Sequence, residues 1–243
     1  MSLIVGRKPV LEAINSGEEI EQVYILYGQR GGIVDAIRIA ARKRGIKINQ
    51  VTPEKFKALS SHPNTQGIIA RKSSHKYFEL EEIISSAKKK KYPLLLLLDS
   101  IQDTHNLGAI LRTAECSEVD GVIITKHHSA PLNETVIKTS AGATEHLKIA
   151  QVNNLVQTIK ELKDEGFWIA GSSLENSKPY TEVDYKIPLA LIVGNEEKGI
   201  RRLTAENCDL LINIPMKGKI QSLNVSVAAG IILFEILRQR SSN

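Results

Sequence analysis

Residues 93–115 read "PLLLLLDSIQDTHNLGAILRTAE", and the fold turns on how this stretch is taken. Leu94 to Leu98 form an unbroken apolar run of strand length. A strand with no alternation is buried on both faces, which is the habit of a parallel sheet covered by helices. A polar loop follows at once, and then Leu107, Ile110, Leu111 and Ala114 recur with helical spacing.

The pattern repeats to the end of the chain. Further strands are expected at 121–125 (GVIIT), 145–150 (EHLKIA), 167–171 (FWIAG), 189–193 (LALIV) and 210–214 (LLINI). Helical spacing fills 107–118, 133–140, 153–165, 200–207 and 223–240. Alternating strands and helices define an α/β class with a mostly parallel sheet. Upstream lies a smaller α/β unit: strand 21–26, helix 32–45, strand 46–51, helix 53–59 and strand 67–72. This predicts three segments: a small domain over 1–72, a linker over 73–92 and a larger domain over 93–243. Pro93 ends the linker, and its four lysines, Lys88 to Lys91, close a short helix.

Charge divides along the same line. Residues 1–92 hold 17 Lys and Arg against 9 Asp and Glu, a net of +8, whereas 93–243 hold 15 against 18, a net of −3. A basic module joined to a slightly acidic one suggests a grip for a polyanion. No apolar run approaches the roughly 18 residues that cross a bilayer, and the first ten residues carry no signal-peptide core. Cys116 and Cys208 are the two cysteines. They are read as reduced thiols of a cytoplasmic protein.

In open α/β sheets, ligands gather at the carboxyl ends of strands. Three of those ends are rich in Gly, Asn, Ser, Glu and Arg: 99–115, 194–200 (GNEEKGI) and 215–230 (PMKGKIQSLNVSVAAG). No GxGxxG or GxxxxGK[ST] follows a strand, which argues against an ordinary dinucleotide site or a P-loop. The six histidines show neither HExxH nor Cys/His ligand spacing, so no metal is expected. If the helix begins near Leu107, Asn106 stands at its N-cap with Arg112 a turn and a half further in. Arg112 reads either as a structural ion pair to Asp99, Asp103 or Glu115 or as a guanidinium aimed at a phosphate or ribose, and spacing leaves both open. The last helix is apolar all round beyond a head of Ser222, Asn224 and Ser226, which have no packing purpose.

Taken together, "LDSIQDTHNLGAILRTAECSEVDGVII", "LIVGNEEKGI" and "INIPMKGKIQSLNVSVAAGIILFEILRQR" resemble the three motifs of the SpoU, or TrmH, family of SPOUT methyltransferases. Upstream, "GRKPVLEAI" and "TQGIIA" resemble the small substrate-binding domain of the bacterial 23S ribosomal RNA guanosine 2′-O-methyltransferases. The resemblance implies a trefoil-knotted catalytic domain, S-adenosylmethionine as cofactor, a homodimer and an L30e-like RNA-binding domain at the N-terminus. It further implies methylation of a ribose 2′-hydroxyl in ribosomal RNA. Transfer RNA as substrate, and a knotted RNA-binding protein without catalysis, are the alternatives. Position by position, Asn106, Arg112, Glu196, Ser222 and Asn224 match the family's catalytic positions, and Gly194, Ile214 and Leu223 those that frame the cofactor. Glu197 departs from the pattern, standing where related sequences often carry Gly.

Overall fold

The computed structural model describes residues 3–18, 20–60, 62–72, 77–195, 198–219 and 222–241. The chain divides into two units, the first over 1–76 and 131–133 and the second over 77–130 and 134–243.

The first unit runs β1 (Leu3–Val5), α1 (Arg7–Asn15), β2 (Ile20–Leu26), α2 (Gly32–Lys43), β3 (Lys47–Val51), α3 (Pro53–Leu59) and β4 (Ile68–Lys72). Strand β1 and helix α1 precede the first strand read from the sequence. Strand order is β1-β4-β2-β3, with β4 antiparallel to both neighbours and β2 parallel to β3. Period-2 alternation sorts the side chains. Val23, Ile25, Ile68 and Ala70 meet Val10, Ile14, Val34 and Ile37 on one face. On the other, Tyr24, Val51 and Ile69 meet Phe56 of α3. Thr52 caps α3, and Pro53 occupies its first turn, where a missing N–H costs nothing.

The second unit opens with α4 (Leu80–Ala87). This helix falls inside the segment 73–92 read as a linker. Its Ile83, Ile84 and Ala87 are buried with Leu95, Leu97 and Ile123. Burial of three apolar side chains makes α4 a core element of the second unit rather than a solvated connector. Residues 73–76 lie outside the described residues.

The unit continues with β5 (Leu94–Asp99), α5 (Thr104–Cys116), β6 (Gly121–Thr125), α6 (Glu134–Thr139), β7 (Ile149–Val152), α7 (Leu155–Asp164), β8 (Trp168–Ser172), β9 (Lys178–Pro179), β10 (Leu189–Gly194), α8 (Arg202–Glu206), β11 (Leu210–Asn213) and α9 (Val225–Ser241). The strand expected at 145–150 starts only at Ile149. Gly142, left-handed at φ 91°, leads instead into a turn of 3₁₀ helix over Ala143–Glu145. All pairings in the seven-stranded sheet are parallel, in the order β7-β6-β5-β10-β8-β11-β9. Leu94 to Leu98 are at most 2% exposed, as their unbroken apolar run requires.

The order places the site. From β5 the chain runs outward through β6 to β7, then crosses to β8 on the other side, and β10 inserts between β5 and β8. The direction of winding therefore reverses between β5 and β10. Such a switch point opens a crevice at the carboxyl ends of the strands. The register puts Asp99 beside Gly194 there, so the first two polar loops emerge side by side. Among the described residues, no helix is long and apolar enough to cross a membrane.

Candidate active site

The crevice is held shut at its base by charge. Asp99, the one polar residue of β5, is fully buried. Its Oδ1 accepts from Arg201 Nε at 2.7 Å and its Oδ2 from the Arg201 backbone N–H at 3.0 Å. A buried carboxylate is tolerated only when its lone pairs are occupied, and these two bonds, with a third from the Ser100 hydroxyl, occupy them. Asn195 Nδ2 adds a bond to the Ser100 carbonyl at 3.1 Å. The loop after β5 is thus tied twice to the loop after β10. Sequence reading missed this clamp. The signal was a lone aspartate ending five leucines, but its partner lies 102 residues away.

Gly194 is required by close approach. Residues 195 and 199 exchange both backbone hydrogen bonds at 2.9 Å, folding the loop back over the strand end. A Cβ on Gly194 would lie 2.1 Å from backbone atoms of Gly199 and Ile200. No side chain fits there.

Above this base is a cavity of about 740 Å³. Gly194, Ile214, Ser222 and Leu223 line it, so four of the eight residues singled out in the sequence share one wall space. Asn195, Asn213 and Ser172 add polar groups, while Ile200, Leu211 and Val225 add apolar surface. Asn224 lies between two lining residues, and its Nδ2 donates to Asn106 Oδ1 at 2.9 Å. The first and third motifs, 118 residues apart, meet in that bond. Glu196 lies outside the described residues.

Two expectations about this region change. Asn106 is not the N-cap of α5. Asp103 is, its Oδ1 accepting from the Asn106 backbone N–H at 2.7 Å, because the helix starts three residues earlier than the apolar spacing suggested. Arg112 makes none of the three ion pairs considered for it. Asp99 is taken by Arg201 and Asp103 by the cap, and Arg112 is exposed on α5 with no ion pair among the described residues. It does not line the cavity.

Ser226 also finds a partner. The Asn224 Oδ1 accepts from the Ser226 backbone N–H at 2.9 Å and from its hydroxyl at 2.6 Å. Asn224 thereby caps α9 with its oxygen while its amide nitrogen holds Asn106. The polar head of an otherwise apolar helix is a built unit.

Comparison with known proteins agrees with this architecture. The profile of the SpoU rRNA methylase family matches residues 93–234. A second profile, RNA 2′-O ribose methyltransferase substrate binding, matches residues 3–78. A protein of Staphylococcus saprophyticus assigned to the TrmH family of tRNA/rRNA methyltransferases is 42% identical over 240 residues, covering 98% of this chain and 96% of that one. Among solved structures, the SpoU methyltransferase AviRb from Streptomyces viridochromogenes, in complex with the cofactor AdoMet, aligns over 99% of this chain and 91% of its own. The TM-score is 0.63 at 22% identity, a likeness of fold. The TrmH/SpoU tRNA modifying enzyme of A. aeolicus covers 66% of this chain and 82% of its own, with a TM-score of 0.57 and 36% identity. The chain belongs to the SpoU/TrmH family of RNA methyltransferases.

Proposed function

We propose that this chain transfers a methyl group from S-adenosylmethionine to a ribose 2′-hydroxyl of RNA, with a guanosine of 23S ribosomal RNA as the target. The shared cavity is the observation that carries the reading. Loops after β8, β10 and β11, far apart in sequence, converge on one space of about 740 Å³, within the roughly 300–1,000 Å³ usual for a small-molecule site, and the loop after β5 joins its rim through the Asn106–Asn224 bond without lining it. Its lining fits the cofactor. Ile200, Leu211 and Val225 offer apolar surface to a purine, and Asn195, Asn213 and Ser222 offer hydrogen bonds to ribose and amino-acid groups. Gly194, Ile214 and Leu223 would hold it in place.

When bound, S-adenosylmethionine supplies a methyl already activated by a positive sulfur. The protein must then place the ribose oxygen, whose proton passes to solvent water as the new bond forms. A guanidinium offers five N–H donors and no acceptor. Arg112 therefore acts by clamping the target phosphate and steadying the developing alkoxide. Asn106, fixed by Asn224, orients the ribose. Ser222 holds the nucleotide or the cofactor loop, and Glu196 fixes a neighbouring donor.

Ribosomal RNA is preferred because the first unit matches a substrate-binding profile. The 36% identity to a tRNA modifying enzyme favours a second reading, transfer RNA, although that alignment leaves a third of this chain uncovered. The test supplies tritiated-methyl cofactor with 23S ribosomal RNA transcripts and, separately, with transfer RNA. The expected result is label in the ribosomal RNA at one nucleotide, whose 3′ linkage becomes resistant to alkali. Label confined to transfer RNA would establish the second reading, and label in neither would leave a binding protein.

We also infer that two copies associate through α9. Val227 and Phe234 are about half exposed, and they fall on one helix face with Ile231 between them. A second copy would cover this apolar face. Sedimentation should show a dimer at micromolar concentration, and Phe234→Glu should shift it to monomer. A dimer that persists in the variant would mean that another face is used.

A further inference from the structure

In the polar head of α9, Ser226 is the residue that the proposed chemistry does not use, and its bonds fix a direction. Its backbone N–H lies 2.9 Å from the Asn224 side chain and its hydroxyl 2.6 Å. A backbone N–H only donates, so the Asn224 atom it meets is the oxygen. The hydroxyl donates to that same oxygen, which has no hydrogen to give. With its oxygen so held, Asn224 turns its amide nitrogen the other way, and Nδ2 donates to Asn106 Oδ1 at 2.9 Å. Asn106 therefore has its oxygen toward Asn224 and its nitrogen directed elsewhere. Each amide is oriented by the one before it, and the first is set by a backbone group that cannot reverse. Turning Asn224 over would bring its N–H groups against the N–H of half-buried Ser226, donor against donor, and leave that N–H without an acceptor.

Two helices hold the relay in line. Asn106 lies in the first turn of α5, and Asn224 directly precedes α9. Further along both, Thr113 of α5 lies against Gly230 of α9, where an added Cβ would be 3.6 Å from the threonine methyl. The helices therefore run side by side in the same direction, with the asparagine pair at their shared start. The polarity of that pair bears on the reaction. The ribose hydroxyl loses its proton to water as its oxygen gains the methyl, so negative charge gathers on that oxygen. An N–H aimed at it binds the transition state more tightly than the ground state, whereas a carbonyl oxygen aimed there would repel it.

We propose that Ser226 is a positioning residue for methyl transfer, fixing Asn106 through Asn224 so that the Asn106 amide nitrogen, not its oxygen, meets the ribose 2′-oxygen. The inference rests on the reading of the chain as a ribose methyltransferase and adds what sets the polarity of that site. Capping α9 needs only the Asn224 oxygen, and the relay needs its nitrogen as well.

The test measures kcat, KM for RNA and cofactor affinity of the full chain, with 23S ribosomal RNA transcripts and transfer RNA supplied separately. Side-chain amide spectra of protein carrying isotope-labelled asparagine are recorded alongside. Asn224→Asp keeps an oxygen to cap α9, since aspartate caps as well as asparagine, but it has no donor for Asn106 Oδ1. It should turn Asn106 over and lower kcat by about 10²-fold, with the cofactor affinity and thermal midpoint of the parent chain. Ser226→Ala removes the hydroxyl and keeps the backbone N–H, so kcat should fall by about tenfold, the effect of one hydrogen bond, with KM unchanged. The Asn106 amide signal, identified by its loss in Asn106→Ala, should move in Ser226→Ala and return in Ser226→Thr together with the rate. Ser226→Ala/Asn106→Ala should be no slower than Asn106→Ala alone, because the serine acts only through that asparagine. Losses that multiply in the double variant, or a parent kcat in Asn224→Asp, would overturn the positioning role and leave the methyltransferase reading standing. So would a fall in kcat of Ser226→Ala that comes with lost thermal stability and an unmoved Asn106 signal. No transfer to either RNA by the parent chain would overturn both.

Discussion

Arg112→Ala lowers kcat for methyl transfer by about 10²–10³-fold, the usual cost of removing one preorganised donor from a developing oxyanion, and leaves cofactor affinity unchanged. The division follows from where the structure puts the side chain. Arg112 lies on α5, exposed, outside the cavity lined by Gly194, Ile214 and Leu223. Truncating it removes no wall of that cavity, so binding measured by calorimetry should not move. Nor should the fold suffer, because Arg112 carries no ion pair among the described residues to lose. Arg112→Lys keeps the charge but loses the planar fork that meets a phosphate with two parallel bonds. It should therefore recover only part of the rate. If Arg112→Ala instead loses cofactor affinity in proportion to rate, the arginine belongs to the cofactor site and the clamp role fails.

What the sequence showed and what it hid can be told apart by distance. Leu94 to Leu98 announced a buried parallel strand because burial on both faces leaves no alternation to mask. The three polar loops stood out because each follows such a strand and carries residue types that packing does not explain. Convergence of Gly194, Ile214, Ser222 and Leu223 on one cavity then follows from strand order. Pairs of single side chains leave no such trace. Asp99 and Arg201 are joined across 102 residues, and each alone reads as an ordinary loop charge. The start of α5 was misplaced for a local reason: Thr104, His105 and Asn106 are polar, so apolar spacing could not see the first turn, whereas the cap Asp103 marks it. The helix α4 was legible from its lysine-rich end, but its burial was not, because those lysines face solvent while Ile83 and Ile84 face inward.

Arg240→Ala is expected to destabilise the second unit by about 3–5 kcal/mol, the range for leaving several buried acceptors unpaired. Arg240 lies one residue from the end of α9, where a helix favours a cation, but its bonds go further than the dipole. Its Nε donates to the Tyr185 carbonyl at 3.0 Å. One terminal nitrogen donates to the Tyr92 carbonyl at 2.7 Å, and the other to those of Ile187 at 2.9 Å and Pro93 at 3.4 Å. One guanidinium therefore pins the entry to β5 and the entry to β10, the two strands that flank the crevice, to the last helix. Gln239 adds bonds to the Tyr185 N–H and the Val183 carbonyl at 3.1 Å each. Tyr185 itself is fully buried, its hydroxyl donating to the Tyr180 carbonyl at 2.8 Å. Burial lowers the Arg240 pKa to about 10, so the charge is partly desolvated yet intact at neutral pH. Desolvation opposes the clamp, and the carbonyl bonds must outweigh it. Thermal unfolding should show the balance as a drop of roughly 10 °C in Tm for this unit. Arg240→Met separates the two terms. It keeps apolar bulk and removes both the desolvation cost and the donors, so a loss close to that of alanine shows that the donors dominate. A Tm equal to that of the parent chain in both variants would mean that water replaces the guanidinium at no cost, and the clamp would hold nothing.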